Sequence, residues 1–264
     1  MPSPDPVQLC ALAEALAREA GQLLLARPDV LAVQAKTTPT DAVTQMDRAA
    51  ERLIIDGIAT ARPGDGVLGE ESGETPSRSG VRWVVDPLDG TVNYLYGIPH
   101  YAVSIAAEVA GVVVAGVVHD PEKRETYTAV RGGGAWCNGS RLRCRRGADL
   151  AQSLVATGFG YAANRRAEQA RVLATVLPAV RDIRRFGAAA LDLCAVAAGR
   201  VDGFYERGMN AWDLAAGGLI AQEAGARVEG LHGVPAGPAL AIAAAPAVFG
   251  PLHDLLAGSG ADRG

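Results

Sequence analysis

Trp83-Val84-Val85-Asp86-Pro87-Leu88-Asp89-Gly90-Thr91-Val92-Asn93-Tyr94 opens as a short apolar run with the texture of a buried strand. It breaks at Asp86-Pro87 and delivers two carboxylates, a glycine and a hydroxyl within the six residues from Asp86 to Thr91. Unpaired carboxylates beside a core are strongly penalised, so Asp86 and Asp89 call for partners or a cation. Gly90 and Thr91 offer backbone N–H groups and a hydroxyl where a turn leads into a helix, an arrangement suited to phosphate oxygens.

Upstream, Leu9, Leu12, Leu16, Ala20 and Leu23 recur at spacings of three and four, which predicts an amphipathic helix from about 6 to 26. Gln34 to Asp41 reads as a polar, proline-broken loop carrying one lysine, Lys36. Met46, Ala50, Leu53, Ile54, Gly57 and Ile58 mark a second helix. Thr44 and Asp47 at its start approximate a capping box with Asp in place of Glu, so helix capping alone would account for Asp47. Pro63 to Gly66 is a turn, and Val67-Leu68 a short strand running into Gly69-Glu70-Glu71. Side chains alternate along an extended chain, so only one of Glu70 and Glu71 is expected to face a site, the other being solvated. Residues 74–80 read as a flexible polar connection.

Downstream, Tyr101 to Ala107 and Val112 to Val118 form a hairpin, and Glu125 to Val130 a third strand. Gly132-Gly133-Gly134 lacks the helix and the Lys-Ser/Thr ending of a phosphate loop and reads as a turn. Arg141, Arg143, Arg145 and Arg146 make a small basic face, explained as readily by scattered surface arginines as by substrate attraction. From about 150, strands at Leu154 to Thr157, Ile183 to Phe186, Val201 to Tyr205 and Ala239 to Ala244 alternate with helices at Ala167 to Val180, Ala188 to Ala198 and Asp213 to Ala224. Pro246 to Gly250 is expected to be a turn, with a last helix from Pro251 to Ala257, proline in first position, and a frayed tail after it. The class is α/β. A strand-rich half to about 148 and an α/β half from 149 belong to one unit of 264 residues.

Hydrophobic residues at 49%, charged residues at 20% and a net charge of −4 without a basic block point away from a membrane surface or nucleic acid as the main partner. No secretory signal and no membrane-length apolar run is evident, and Cys10, Cys137, Cys144 and Cys194 form no C-x-x-C pair. A cytoplasmic protein with reduced thiols is expected.

Four acids stand at element ends: Glu70, Asp86, Asp89 and Asp213. Asp213, in Trp212-Asp213-Leu214-Ala215-Ala216-Gly217, would equally serve as a helix cap. Oxygen-only donors without nearby His or Cys favour Mg²⁺ over zinc, and acids beside an N–H nest point to metal-assisted phosphate hydrolysis. Gly69-Glu70-Glu71, the run Asp86 to Asn93 and the run Trp212 to Gly217 resemble, in order and spacing, the three signatures of the inositol monophosphatase family. Lys36 and Asp47 fall where that family also places a lysine and an acid, and the resemblance runs from about Ala35 to Val228.

The resemblance implies a layered αβαβα sandwich, a homodimer, and Mg²⁺-dependent, lithium-sensitive hydrolysis of small phosphomonoesters. It implies that Glu70, Asp86 and the Leu88 carbonyl hold one Mg²⁺, that Asp86, Asp89 and Asp213 hold a second, and that Glu70 reaches a third through water. It assigns Thr91, bonded to Asp47, and Glu70 to activation of the attacking water, and the Gly90 and Thr91 N–H groups to the phosphate. Glu206, Asp89, Asp213 and the Gly187, Ala188 and Ala189 loop would contact the leaving group. Glu206 favours myo-inositol 1-phosphate. Histidinol phosphate, 3′-phosphoadenosine 5′-phosphate and fructose 1,6-bisphosphate are alternatives with the same chemistry, and partnership with RNA or a transcription complex is an alternative of another class.

Overall fold

The computed structural model describes residues 4–36, 38, 40–146 and 149–262. Met1 to Ser3 at the N-terminus, Thr37 and Pro39 of the expected loop, and Arg263 and Gly264 of the expected tail lie outside the described residues. In chain order the first half runs α1 (Pro6–Leu25), β1 (Val33–Ala35), β2 (Ala42–Thr44), α2 (Gln45–Ala61), β3 (Gly66–Gly69), β4 (Gly73–Thr75) and β5 (Val81–Asp89). It continues with α3 (Thr91–Leu95), β6 (Ala102–Val109), β7 (Val112–Asp120), β8 (Glu125–Val130), β9 (Gly134–Cys137) and β10 (Ser140–Arg141). The second half holds β11 (Leu154–Thr157), α4 (Ala163–Val176), β12 (Asp182–Arg184), α5 (Ala189–Ala197) and β13 (Gly203–Glu206). It ends with α6 (Ala211–Glu223), β14 (Arg227–Glu229), β15 (Ala241–Ala244) and α7 (Pro246–Ser259).

Eight strands form one sheet in the order β10-β9-β8-β7-β6-β5-β3-β4, with only the β3–β5 pair parallel. A second sheet, β12-β11-β13-β15-β14, is parallel where β11 meets β12 and β13 and antiparallel beyond. Strand alternation sends successive side chains to opposite faces. Trp83 and Val85 of β5 pack under α1 and α2 with Leu9, Leu16, Ile54 and Ile58, while Val84 between them packs against α5 and α6 with Leu191 and Leu219. In the smaller sheet Ala156 and Phe204 face the same α5–α6 pair, while Val155 and Tyr205 face α4 and α7. Five layers and four apolar seams result. This is the αβαβα sandwich that the resemblance implies, and its middle layer, α5 with α6, touches both sheets.

The differences from the sequence reading lie where patterns are short. The Gln34 to Asp41 loop is carried on a two-stranded ladder, with Val33 opposite Thr44 and Ala35 opposite Ala42. Residues 73–75, expected as open connection, pair with β3 as an edge strand. β14, three residues long, offers too few positions for alternation to show. The last helix starts at Pro246, not Pro251, and Pro251 lies inside it. Proline there removes one intrahelical hydrogen bond, which Val248, Phe249, Leu252 and Leu256 offset by filling the outer seam. Ala261, expected in a frayed tail, is buried in that seam. The cysteines are free thiols, as expected.

The middle layer sits unusually close to the large sheet. A Cβ on Gly116 of β7 would lie 3.0 Å from both the Cα and the carbonyl oxygen of Ala216 in α6. Backbone cannot rotate out of the way, so Gly116→Val should cost about 2 kcal/mol of stability through overpacking. A urea unfolding midpoint equal to that of the parent protein would refute this close contact.

Candidate active site

Asp86 and Asp89 belong to β5, and between them the register against β6 shifts, a bulge that turns the strand end. Asp86 is 2% exposed and Asp89 8% exposed. Within the bulge the Leu88 N–H donates to Asp86 Oδ1 at 3.1 Å. Gly90 follows at φ 94°, a conformation glycine adopts without strain, and lets the chain turn directly into α3. Asp89 Oδ1 accepts from the Ala189 N–H at 3.2 Å, and Oδ2 from the Ala190 N–H at 2.7 Å. The first turn of α5 thus holds this carboxylate by its N–H groups and its dipole. Gly187 and Ala188 stand just before that turn and Ala189 opens it, all three lining the same cavity.

Asp47 is fully buried at the start of α2. Its Oδ2 accepts from the Thr44 N–H at 2.8 Å and from the Thr44 hydroxyl at 2.6 Å. Its Oδ1 lies 2.9 Å from the Thr91 hydroxyl, which is also 3.0 Å from the Leu88 carbonyl. The capping account of Asp47 is therefore right and incomplete, since the same carboxylate ties α2 to the acidic turn. Asp213 shows a similar duality. It occupies the third position of α6, accepting from the Asn210 N–H at 2.6 Å in a capping box, and it lines the cavity.

Glu70 and Glu71 correct the alternation argument. β3 ends at Gly69, and both acids lie in the following turn, where strand alternation no longer applies. Lys36 Nζ reaches Glu70 Oε1 at 2.8 Å and also bonds the Glu71 carboxylate, whose side chain is only 9% exposed. Glu51 of α2, which the sequence did not single out, accepts from the Glu71 N–H at 3.0 Å. Its carboxylate fills the space where a side chain on Gly69 would start. Asn93 donates to the carbonyls of His100 at 2.8 Å and Phe186 at 2.9 Å, joining the acidic turn to the segment before Gly187.

These groups surround one cavity of about 570 Å³ at the seam of the two halves. Every site residue anticipated from the sequence lines it except Asp47, which acts from behind through Thr91. Arg141, Arg143, Arg145 and Arg146 do not; Arg145 lies 3.7 Å from Asp202, and Arg141 covers the Trp136 ring. The cations that do line it are Lys36, Arg165, Arg185 and Arg207. The last three, scattered through the second half with Arg165 and Arg185 each beside another arginine, carry no spacing that would have revealed them.

Burial pushes Asp86 far above the ordinary carboxylate range, and the nearby Glu70, Asp89 and Asp213 push it further. Burial and Asp89 do the same to Asp213. Asp89 rises to about 7, through burial that its two backbone hydrogen bonds only partly offset. Burial opposes the charge of Lys36, but Glu70 and Glu71 outweigh it and hold the ammonium protonated. Among the described residues no three acids are drawn together into a finished ion cage. The donor set nonetheless fits a hard cation such as Mg²⁺: it offers oxygen atoms only, and the acids lining the cavity outnumber its four cations.

Glu206, at the end of β13, packs over Gly158, where a Cβ would fall 2.0 Å from its Oε2. Burial, then Asp89, raise its carboxyl from an ordinary 4.5 to about 7. Folding thus favours the protonated form. The associated stability is full below pH 4.5 and is lost as pH rises through about 7. Glu206→Gln should match the parent's stability at pH 4.5 and exceed it by about 1–2 kcal/mol at pH 8.5. Denaturant midpoints at the two pH values check this, and a destabilised variant at pH 8.5 would contradict it.

The chain matches the inositol monophosphatase family over residues 5–258. It is 50% identical over 248 residues to the Inositol-1-monophosphatase SuhB of Mycobacterium tuberculosis, covering 86% of this chain and 85% of that one. It is 44% identical over 222 residues to the Nus factor SuhB of Escherichia coli, covering 82% and 83%. Among solved structures, the Thermotoga maritima IMPase TM1415 superposes with a TM-score of 0.89 at 32% identity, covering 97% of this chain and all of that one. With its layers, its acidic turn and these relatives in agreement, the chain belongs to the inositol monophosphatase family, whose members named inositol-1-monophosphatase are phosphoric monoester hydrolases.

Proposed function

We propose that this enzyme is a Mg²⁺-dependent phosphatase that hydrolyses myo-inositol 1-phosphate to myo-inositol and phosphate. The reading rests on one observation above the others: Glu70, Asp86, Asp89 and Asp213, brought from both halves of the chain, face a single polar cavity beside the Thr91–Asp47 pair. Glu70, Asp86 and the Leu88 carbonyl would hold one Mg²⁺, and Asp86, Asp89 and Asp213 a second. Glu70 would reach a third through water. When bound, the ions lower the pKa of the attacking water and stabilise the leaving alkoxide.

Asp47 accepts the Thr91 hydroxyl proton in preference to the neutral Leu88 carbonyl, because the charged acceptor makes the stronger bond. That leaves a Thr91 lone pair to accept a hydrogen bond from the water. Glu70, oriented by Lys36, takes the water's proton as the oxygen attacks phosphorus. The bond from phosphorus to the ester oxygen breaks, and the leaving alkoxide takes a proton from solvent. The Gly90 and Thr91 N–H groups, at the head of α3, hold the phosphate oxygens. Glu206 accepts hydrogen bonds from ring hydroxyls, and Asp89 and the Gly187 to Ala189 segment border the same ring. Lithium sensitivity, a homodimer and a cytoplasmic site of action belong to the same reading. No helix among the described residues is long and apolar enough to cross a membrane.

Phosphate release from a panel of esters with Mg²⁺ titrated tests the substrate. Inositol 1-phosphate should be turned over faster than histidinol phosphate, 3′-phosphoadenosine 5′-phosphate or fructose 1,6-bisphosphate, and negligible turnover of it sinks the choice. Asp213→Asn should lower kcat by a factor of about 100 or more, the scale of losing one electrostatic contact to the transition state, with the fold retained by circular dichroism. Turnover equal to the parent's would remove Asp213 from the metal site.

A scaffold role in a transcription complex is a second reading, favoured by the name of the Escherichia coli relative, Nus factor SuhB. Asp86→Asn separates the two: an enzyme-only role predicts loss of every phenotype, and a scaffold role predicts retention of those that do not need turnover.

A further inference from the structure

A neutral polyol leaves part of the cavity's charge unanswered. Of its four cations, Lys36 is held by Glu70 and Glu71, Arg207 lies 3.1 Å from Glu168, and Arg185 faces Asp89, Asp192 and Glu206. Arg165 is different. It lies in the first turn of α4 and lines the cavity; like Arg185 it makes no ion pair and no hydrogen bond among the described residues, but unlike Arg185 it offsets the charge of no neighbouring carboxylate. The adjacent Arg166 does not line the cavity, and its Nη1 lies on the Tyr161 carbonyl at 2.5 Å.

Arg165 is exposed, yet the course of its side chain is set by its neighbours. Its side chain occupies a slot between two glycines. A Cβ on Gly160 would come within 2.7 Å of Arg165 Cδ, and one on Gly208 within 2.5 Å of Nη1. Gly208 also sits at φ 92°, a backbone angle that disfavours any side chain. The slot exists because both positions lack one, and its floor comes from two different loops, those after β11 and β13. Both loops also line the cavity, so the side chain is guided along its wall.

We propose that Arg165 is a specificity-determining residue whose guanidinium reads a second phosphate carried by the leaving group of the substrate. This rests on the phosphatase reading above and extends it to bisphosphorylated polyols. A planar guanidinium offers paired N–H donors that match phosphate oxygens, and one already confined by packing loses less freedom on binding. The reacting phosphate belongs at Gly90 and Thr91, so Arg165 acts on binding of the distal group and not on the bond that breaks.

Fructose 1,6-bisphosphate and fructose 1-phosphate differ only in the second phosphate and make the test. The full chain in Mg²⁺ is assayed on both, with dissociation constants measured by calorimetry if neither is turned over. Hydrolysis of neither ester nor of inositol 1-phosphate would count against the phosphatase reading, while the affinity ratio would still decide the role of Arg165. The parent should favour the bisphosphate by about tenfold or more, in KM and not in kcat, as one charge-assisted contact implies. Arg165→Gln should bring the ratio close to one, and Arg165→Lys, which keeps the charge without the fork, should restore part of it. A parent ratio near one, or a ratio that Arg165→Gln leaves unchanged, overturns the proposal.

Discussion

Like charge confined at the end of a buried strand is the constraint to which the structure around it answers. Asp86 and Asp89 are nearly inaccessible, and Glu70 and Asp213 face the same space. A fold that needed only stability would cancel this charge with arginines. This one largely does not. The Leu88, Ala189, Ala190 and Asn210 N–H groups hold Asp86, Asp89 and Asp213, and the Thr44 and Thr91 hydroxyls hold Asp47. Neutral donors fix a carboxylate in place while leaving its charge and its remaining lone pairs for another partner. The exceptions are Lys36, whose single ammonium serves both Glu70 and Glu71, and Arg185, whose charge partly offsets that of Asp89. The cavity therefore keeps a negative excess at fixed positions, which is the preorganisation that a reaction developing charge near cations requires.

The same constraint explains why the two halves pack as they do. Asp86 and Glu70 come from the large sheet and its connecting turn, whereas Asp213 and the donors to Asp89 come from α6 and α5. The site exists only if the middle layer is pressed against the large sheet in one register. Gly116 allows this by letting Ala216 approach at backbone distance, and Gly217, next in α6, permits a similar approach to Leu193 of α5. Ser104 of β6 adds a hydrogen bond to the Trp212 carbonyl at 3.2 Å, one residue before Asp213. Packing in the apolar seams is thus coupled to the placement of carboxylates, so a substitution remote from the cavity can still reach its geometry.

The sequence made much of this legible because the functional residues of the acidic turn are adjacent in the chain. Asp86, Asp89, Gly90 and Thr91 sit at fixed offsets, and a buried strand that ends in acids is chemically anomalous without any structure. The long helices and the β6–β7 hairpin were equally plain, because their periodicity extends over many residues. What escaped was short or non-local. β4 and β14 have three residues each, too few for a period of two to declare itself. The pairing of Glu70 with Glu71 on one lysine escaped because a strand rule was carried one residue past the strand's end. Pro251 was placed first in its helix because an interior proline is disfavoured locally, and only the apolar seam beneath it reverses that preference.

The division between legible and hidden follows the chemistry. Activating water and holding cations needs acids at short range, and short-range demands leave motifs. Recognising a leaving group needs only that a few side chains arrive at the far wall of the cavity, and any loop can send one. Glu206 reaches it from the end of β13 across Gly158, and Arg165 from α4 through a slot floored by Gly160 and Gly208. Neither depends on its sequence neighbours for its position; each depends on glycines that leave room for it. A change at Gly160 or Gly208 would displace the guanidinium without touching a carboxylate. Substrate choice in this fold can therefore shift through positions that bear no chemistry of their own, while the acidic turn at the end of β5 and the reaction it supports stay the same.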